Sequence, residues 1–216
     1  MRDGLIYIHG KGGGADEAER YRPLFPQCDV VGLEYQSRTP WEAREEFRRF
    51  FDSFRTGRDR VSIVANSIGA FFAMCALNDK PIEKAYFISP IADMEKLITD
   101  MMTWAGVSER ELKERGEIET AFGETLSWEY LSWVREHPVV WRVPTRILYG
   151  AKDTLQSADT IKAFAGRVGA ELTVMEGGEH WFHTAEQLAF LDNWITEGRF
   201  GRHADFPVKC RKHCLD

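Results

Sequence analysis

Residues 60–77 read RVSIVANSIGAFFAMCAL, a strand running into a helix with a serine at the join. Val61 to Ala65 form a short, nearly continuous apolar run, as expected of a strand covered on both faces. The following apolar stretch reads as a buried helix. Ser67 stands between them, with Ala65 and Gly69 two positions away on either side. A serine at a sharp strand-to-helix turn projects its hydroxyl above the sheet, and its neighbours must be small because strand and helix approach closely there. The pattern is G-x-S-x-G with its first position relaxed to alanine. Ser67 equally suits an ordinary N-cap, since serine is common at helix starts. Ser62 and Ser89 lack the small neighbours.

Working outward, similar short runs recur: LIYI (5–8), DVVGLEY (29–35), KAYFIS (84–89), TRILYG (145–150) and ELTVME (171–176). Helical patterns separate most of them. Thr39, Pro40 and Glu42 open one helix as a capping box, and Trp41, Phe47, Phe50, Phe51 and Phe54 give it an apolar face. Thr184 and Gln187 open the last in the same way, with Leu188, Leu191, Trp194 and Ile195 to bury. Alternation of strand and helix predicts an α/β fold, a three-layer sandwich around a mostly parallel sheet of about six strands. Strand ends recur about every 30 residues, the length of one βαβ unit. The interval from Ser89 to Tyr149 is twice that, so residues 91–142 are expected to be a helical cap insertion of two or three amphipathic helices over one edge of the sheet. One of them has Ser108 and Glu111 as a capping box.

Right-handed crossovers align the strands, so their C-terminal ends share one rim, and chemistry is expected there. YGAKDTLQSADT places Asp153 just past the fifth strand, and EGGEHWFHTAEQ places His180 just past the sixth. A hydroxyl nucleophile needs a base to take its proton, and the base needs a carboxylate to fix its tautomer. Ser67, His180 and Asp153 supply all three on that rim. Asp153 also suits a helix cap and His180 a loop histidine with a local hydrogen bond. His183 is a competing base and Asp159 a competing acid, both at or within the next helix.

HGKGGG at residues 9–14 raises the question of phosphate binding. A Walker A loop fails, because Gly12 follows Lys11 where Ser or Thr must bind magnesium, and Leu5 occupies the first glycine position. A dinucleotide fingerprint fits on spacing through Gly10, Gly12 and Ala15, with Glu34 as the ribose acid. Asp16, Glu17 and Glu19 oppose it, since carboxylates crowd the helix start where a pyrophosphate would sit.

Taken together, HGKGG, ANSIGA, GAKD and GGEHWF resemble the α/β-hydrolase superfamily, and their chain order, Ser then Asp then His, is the order of that fold. The resemblance covers about residues 4–197. Ala65 at the elbow and the absence of strands before HG depart from the pattern. It implies a compact serine hydrolase, esterase-like, acting through an acyl-enzyme on an ester, thioester or amide of a small molecule without a cofactor. It also implies an oxyanion hole from the backbone N–H groups of Lys11 and Ile68, a loop-ordering role for His9, and a cap that roofs the rim and shapes an apolar pocket. Alternatives are a non-catalytic binding protein of the same fold and a dinucleotide-binding oxidoreductase. In the cap, Met94, Met101, Met102, Trp104, Phe122, Trp128, Tyr130, Trp133 and Trp141 suit either the pocket or the cap's own core.

The 216 residues suit one domain over about 1–200 with a tail at 201–216. With 44% hydrophobic and 29% charged residues the composition is that of a soluble globular chain, and no run approaches a membrane span. The N-terminus reads as a first strand rather than a signal peptide, so the expected location is the cytoplasm. Four cysteines are too few for a disulfide framework. A net charge of −6 gives no attraction for nucleic acid, although the tail is locally basic. Cys210, His213 and Cys214 there lack a second ligand pair at zinc spacing, so no metal is expected. Oligomeric state is not encoded in any feature of the sequence.

Overall fold

A computed structural model describes residues 2–200, with the side chains of 199 and 200 left out of the description; the tail residues Cys210, His213 and Cys214 lie outside the described residues. In chain order the elements are β1 (Asp3–Ile8), a 3-10 helix (Ala15–Tyr21), β2 (Cys28–Leu33), α1 (Pro40–Arg55), β3 (Val61–Asn66), α2 (Ser67–Ala76) and β4 (Ala85–Ile88). The chain continues through α3 (Met94–Ala105), α4 (Glu109–Arg115), β5 (Glu117–Glu119), β6 (Thr125–Ser127), α5 (Trp128–Glu136), β7 (Thr145–Gly150), α6 (Ala158–Val168), β8 (Glu171–Met175) and α7 (Ala185–Phe200). Six strands form one sheet in the order β2-β1-β3-β4-β7-β8, and each neighbouring pair is parallel. Each of the six apolar runs in the sequence is one of these strands.

The apolar strands divide their side chains between two cores by the alternation of the β pleat. Ile6, Ile8, Ile63, Ala65, Phe87, Ile147 and Tyr149 face one side, where α1, α2, α6 and the segment between β4 and β7 cover them. Leu5, Tyr7, Val64, Tyr86, Ile88 and Leu148 face the other, covered by the 3-10 helix and α7. On that second side Arg146 of β7 is buried; it donates to Glu171 and to the Trp194 carbonyl, and its guanidinium lies over the Trp194 ring. A lone basic residue within an otherwise apolar strand gives no hint of these partners.

Thr39 caps α1 as expected: the Glu42 amide donates to its hydroxyl, and its own amide donates to the Glu42 carboxylate at 3.1 Å. In α7 the Gln187 amide donates to Thr184, while the Gln187 carboxamide accepts from His183 instead of closing a box on Thr184. Between β4 and β7 lie three helices, as the long interval suggests, together with an antiparallel β5-β6 hairpin. Strands of three residues are too short for periodicity to reveal.

Candidate active site

Strand order reverses between β1 and β3, since the chain passes from β1 outward to β2 and returns to the other side of β1. In an open α/β sheet the crevice beyond the strand ends at such a switch is where ligands bind. The loop after β1 and the turn after β3 flank it.

The turn after β3 is tight. Ser67 is the first residue of α2 and has φ 49°, in the left-handed region that a non-glycine residue rarely adopts. Such backbone stores of order 1–3 kcal/mol and persists only where surroundings enforce it. Gly69 shows the enforcement: a Cβ there would come within 2.2 Å of the His9 carbonyl oxygen, so only glycine lets α2 lie this close to the loop after β1. At the position relaxed to alanine, Ala65 is fully buried. Asn66, not Ser67, occupies the N-cap, and its side chain turns away to donate to the Tyr7 hydroxyl at 2.9 Å. Ser67 Oγ is thereby left free of capping and lies 2.8 Å from His180 Nε2.

Opposite the serine, the loops after β7 and β8 pack glycine on glycine. A Cβ on Gly178 would fall 2.9 Å from Gly150 Cα, and the Lys152 amide donates to the Gly178 carbonyl at 2.8 Å. This contact brings Asp153 and His180 together: His180 Nδ1 lies 2.7 Å from Asp153 Oδ2. The Asp153 side chain is wholly buried, and its other oxygen accepts from the Leu155 amide at 2.8 Å. The Tyr149 hydroxyl donates to the Gln156 carbonyl and ties down the same loop. Burial, with the nearby Asp153 charge adding to it, raises the Tyr149 phenol above its ordinary value.

The competitors fall elsewhere. His183 is exposed, with Nδ1 against the Trp181 carbonyl and Glu179. Asp159 is exposed in the first turn of α6. Ser62 lies within β3, and Ser89, though it also has positive φ, is buried with its hydroxyl unpaired.

Around the loop after β1, His9 is buried and stacked on Tyr35, its Nδ1–H donating to the Gly10 carbonyl, while the Tyr35 hydroxyl donates to the His9 carbonyl. Gly10 approaches so closely that a Cβ on it would lie 3.2 Å from Ser67 Cβ. Lys11 reaches across to pair with Glu124 in the β5-β6 turn. Neither the Lys11 amide nor the Ile68 amide donates to a side chain or to a turn or loop carbonyl among the described residues. The dinucleotide reading loses its acid here: Glu34 accepts from the Ala15 amide, and a short 3-10 helix, not an α-helix, follows the glycines.

A cavity of about 390 Å³ opens at Ser67 and His180. Its walls are Tyr7, Glu17, Arg20 and Tyr21, the loop residues Gly10, Lys11 and Gly13, and Asn66, Ile88, Leu155, Trp181, Phe182, Leu188 and Leu191. None of them belongs to residues 91–142. Of the side chains that suit either the pocket or the core, Met94, Met102 and Trp141 are buried in the larger core, Met101, Trp128, Tyr130 and Trp133 pack against it, and Trp104 and Phe122 are exposed, while Glu124 of the same segment reaches the cavity residue Lys11. Trp41 of α1 meets Tyr130 and Trp133 edge-on or tilted, which draws α5 toward α1. Tyr7, Ile88, Leu188 and Leu191 follow the same periodicity as core residues, so nothing in the sequence marks them as pocket residues.

No family model matches the chain, and no curated protein matches it in sequence. Solved structures do match in shape. Est1E from Butyrivibrio proteoclasticus is similar at TM-score 0.73 with 16% identity, over 92% of this chain and 87% of that one. Alpha/beta hydrolase domain-containing protein 10 from mouse is similar at 0.74 with 15% identity, over 91% and 89%. The esterase Pf2001 from Pyrococcus furiosus is similar at 0.56 with 17% identity, over 91% and 81%. The chain has the α/β-hydrolase fold. Among the described residues no helix is long and apolar enough to cross a membrane.

Proposed function

We propose that this protein is a serine hydrolase that cleaves a carboxylic ester, or a thioester or amide, of a small molecule. The observation that carries the reading is the pair of hydrogen bonds linking Ser67 Oγ, His180 and the buried Asp153 at 2.8 and 2.7 Å, at the mouth of a cavity. His180 Nε2 takes the Ser67 proton as Oγ attacks the carbonyl carbon, and Asp153 holds the proton on Nδ1 and stabilises the imidazolium. The oxyanion of the tetrahedral intermediate accepts from the Lys11 and Ile68 amides, fixed donors that act where charge develops. His180 then returns the proton to the leaving oxygen, sulfur or nitrogen, leaving an acyl group on Ser67. Water, deprotonated by His180, attacks that acyl carbon, and the serine departs with its proton restored. Besides the substrate and this water, every step uses a group of the chain itself.

A short-chain p-nitrophenyl ester provides the test. His180→Ala is expected to lower kcat by about 10³-fold or more, in keeping with loss of one member of such a triad. His183→Ala is expected to retain activity. Retained activity in His180→Ala together with loss in His183→Ala would reassign the base.

A further inference from the structure

Residues 91–142 add no side chain to the cavity wall, yet one of them reaches it. Lys11, which lines the cavity and whose amide is a proposed oxyanion donor, pairs with Glu124 in the β5-β6 turn. The loop that carries Lys11 has four glycines among residues 10–14, so its backbone alone does little to fix a peptide plane. Its ends are fixed from outside. At the start, His9 is stacked on Tyr35, and the His9 carbonyl accepts from the Tyr35 hydroxyl at 2.8 Å. At the far end, Gly13 lies against the Glu17 carboxylate, where an added Cβ would come within 2.6 Å of Oε1, and Glu17 in turn accepts from the Tyr7 hydroxyl.

The apex between these ends is held differently. Gly12 has φ 78°, and a Cβ on it would meet nothing within 4 Å, so the apex has no packing of its own. Among the described residues, the hydrogen-bonded tie between Lys11 or Gly12 and the rest of the fold is the pair with Glu124. Glu124 itself stands on a stiff turn. Its carbonyl accepts from the Thr120 amide at 2.8 Å and the Thr120 hydroxyl at 2.7 Å, and its amide donates to Thr120 Oγ1 at 3.1 Å. An oxyanion donor is effective because it is in place before charge develops, and a loosely held peptide is not.

We infer that Glu124 is a positioning residue for the reaction: through the Lys11 side chain it holds the Lys11 amide toward the oxyanion. This inference rests on the hydrolase reading and gives the insertion a part in it. The insertion acts on the loop after β1 from outside the cavity.

The test is steady-state kinetics on a short-chain p-nitrophenyl ester. Glu124→Gln is expected to lower kcat by about fivefold, the scale of an exposed ion pair, with KM and melting temperature little changed. Lys11→Met, which keeps the backbone amide, is expected to show the same loss, and the double variant no more than either alone. An alkyl trifluoromethyl ketone, whose adduct with the serine places an oxyanion where that of the ester would form, is expected to bind more weakly to each variant by the same factor. Raising the salt from about 50 to about 500 mM is expected to lower kcat in the parent and not in Glu124→Gln, since the pair is exposed and screened. An unchanged kcat in Glu124→Gln, a loss that falls on KM alone, or losses that multiply in the double variant overturn the inference and leave the hydrolase reading standing. An unmodified enzyme that neither cleaves the ester nor takes a fluorophosphonate label on Ser67 removes the hydrolase reading, and this inference with it.

Discussion

The two faces of the sheet are clothed differently. On one, α1, α2 and α6 are joined by the three helices and hairpin of residues 91–142, which add Leu112, Ile118, Leu126 and Leu131 to a continuous apolar core. On the other, a 3-10 helix of seven residues and α7 cover the strands, and the cavity at Ser67 opens within that thinner layer. The thicker face holds most of the large aromatic residues and the thinner one holds the pocket. Bulk of hydrophobic residues thus marks where the fold is stabilised, and incomplete cover marks where the cavity opens.

The sharpest way to break this comparison is at the rim both faces share. Asp153→Asn keeps the shape and leaves the wrong histidine tautomer, and is expected to lower kcat by about 10⁴-fold on a p-nitrophenyl ester with little change in melting temperature. Gly178→Val forces a side chain onto Gly150, where a Cβ alone would lie 2.9 Å from Cα. Separation of the Asp153 and His180 loops by about 1 Å is expected to lower kcat/KM by about 10²-fold, read by the same assay.

Between the faces, paired truncations separate stability from selectivity. Leu112→Ala, in a fully buried position on the thick face, is expected to destabilise the protein by about 2–5 kcal/mol in urea unfolding while leaving the ranking of acyl chain lengths as it was. Leu191→Ala, on the thin face and in the cavity wall, is expected to destabilise by a similar amount and to shift the preference toward longer chains. A shift in chain-length preference caused by Leu112→Ala would put the insertion back into the pocket. The smallest effect is expected from Tyr7→Phe, which removes the bridge between Asn66 and Glu17: about 1 kcal/mol of stability and a few-fold in kcat/KM.

The sequence carries the sheet in full, because buried parallel strands are continuous apolar runs and each of the six lies between turn-forming residues. It also carries the elbow, since Gly69 has to be small and stands where a reader can see it. Two things were out of reach. That Gly150 and Gly178 touch is a long-range fact, and either glycine alone reads as a turn residue. That Tyr7 and Leu191 face a cavity, while Leu5 and Ile195 do not, depends on what covers them, and periodicity gives direction without depth. Glu17 is the instructive case: as one of three carboxylates near a helix start it argues against a phosphate, and only its place beside Tyr7 turns it toward the pocket.

Labelling with a fluorophosphonate probe tests the assignment of Ser67 as nucleophile most directly. Peptide mass analysis of the treated, folded protein is expected to find one adduct, on Ser67, that is absent from Ser67→Ala. Folded protein that takes no label, or takes it on Ser62 or Ser89 while Ser67 stays free, would contradict it.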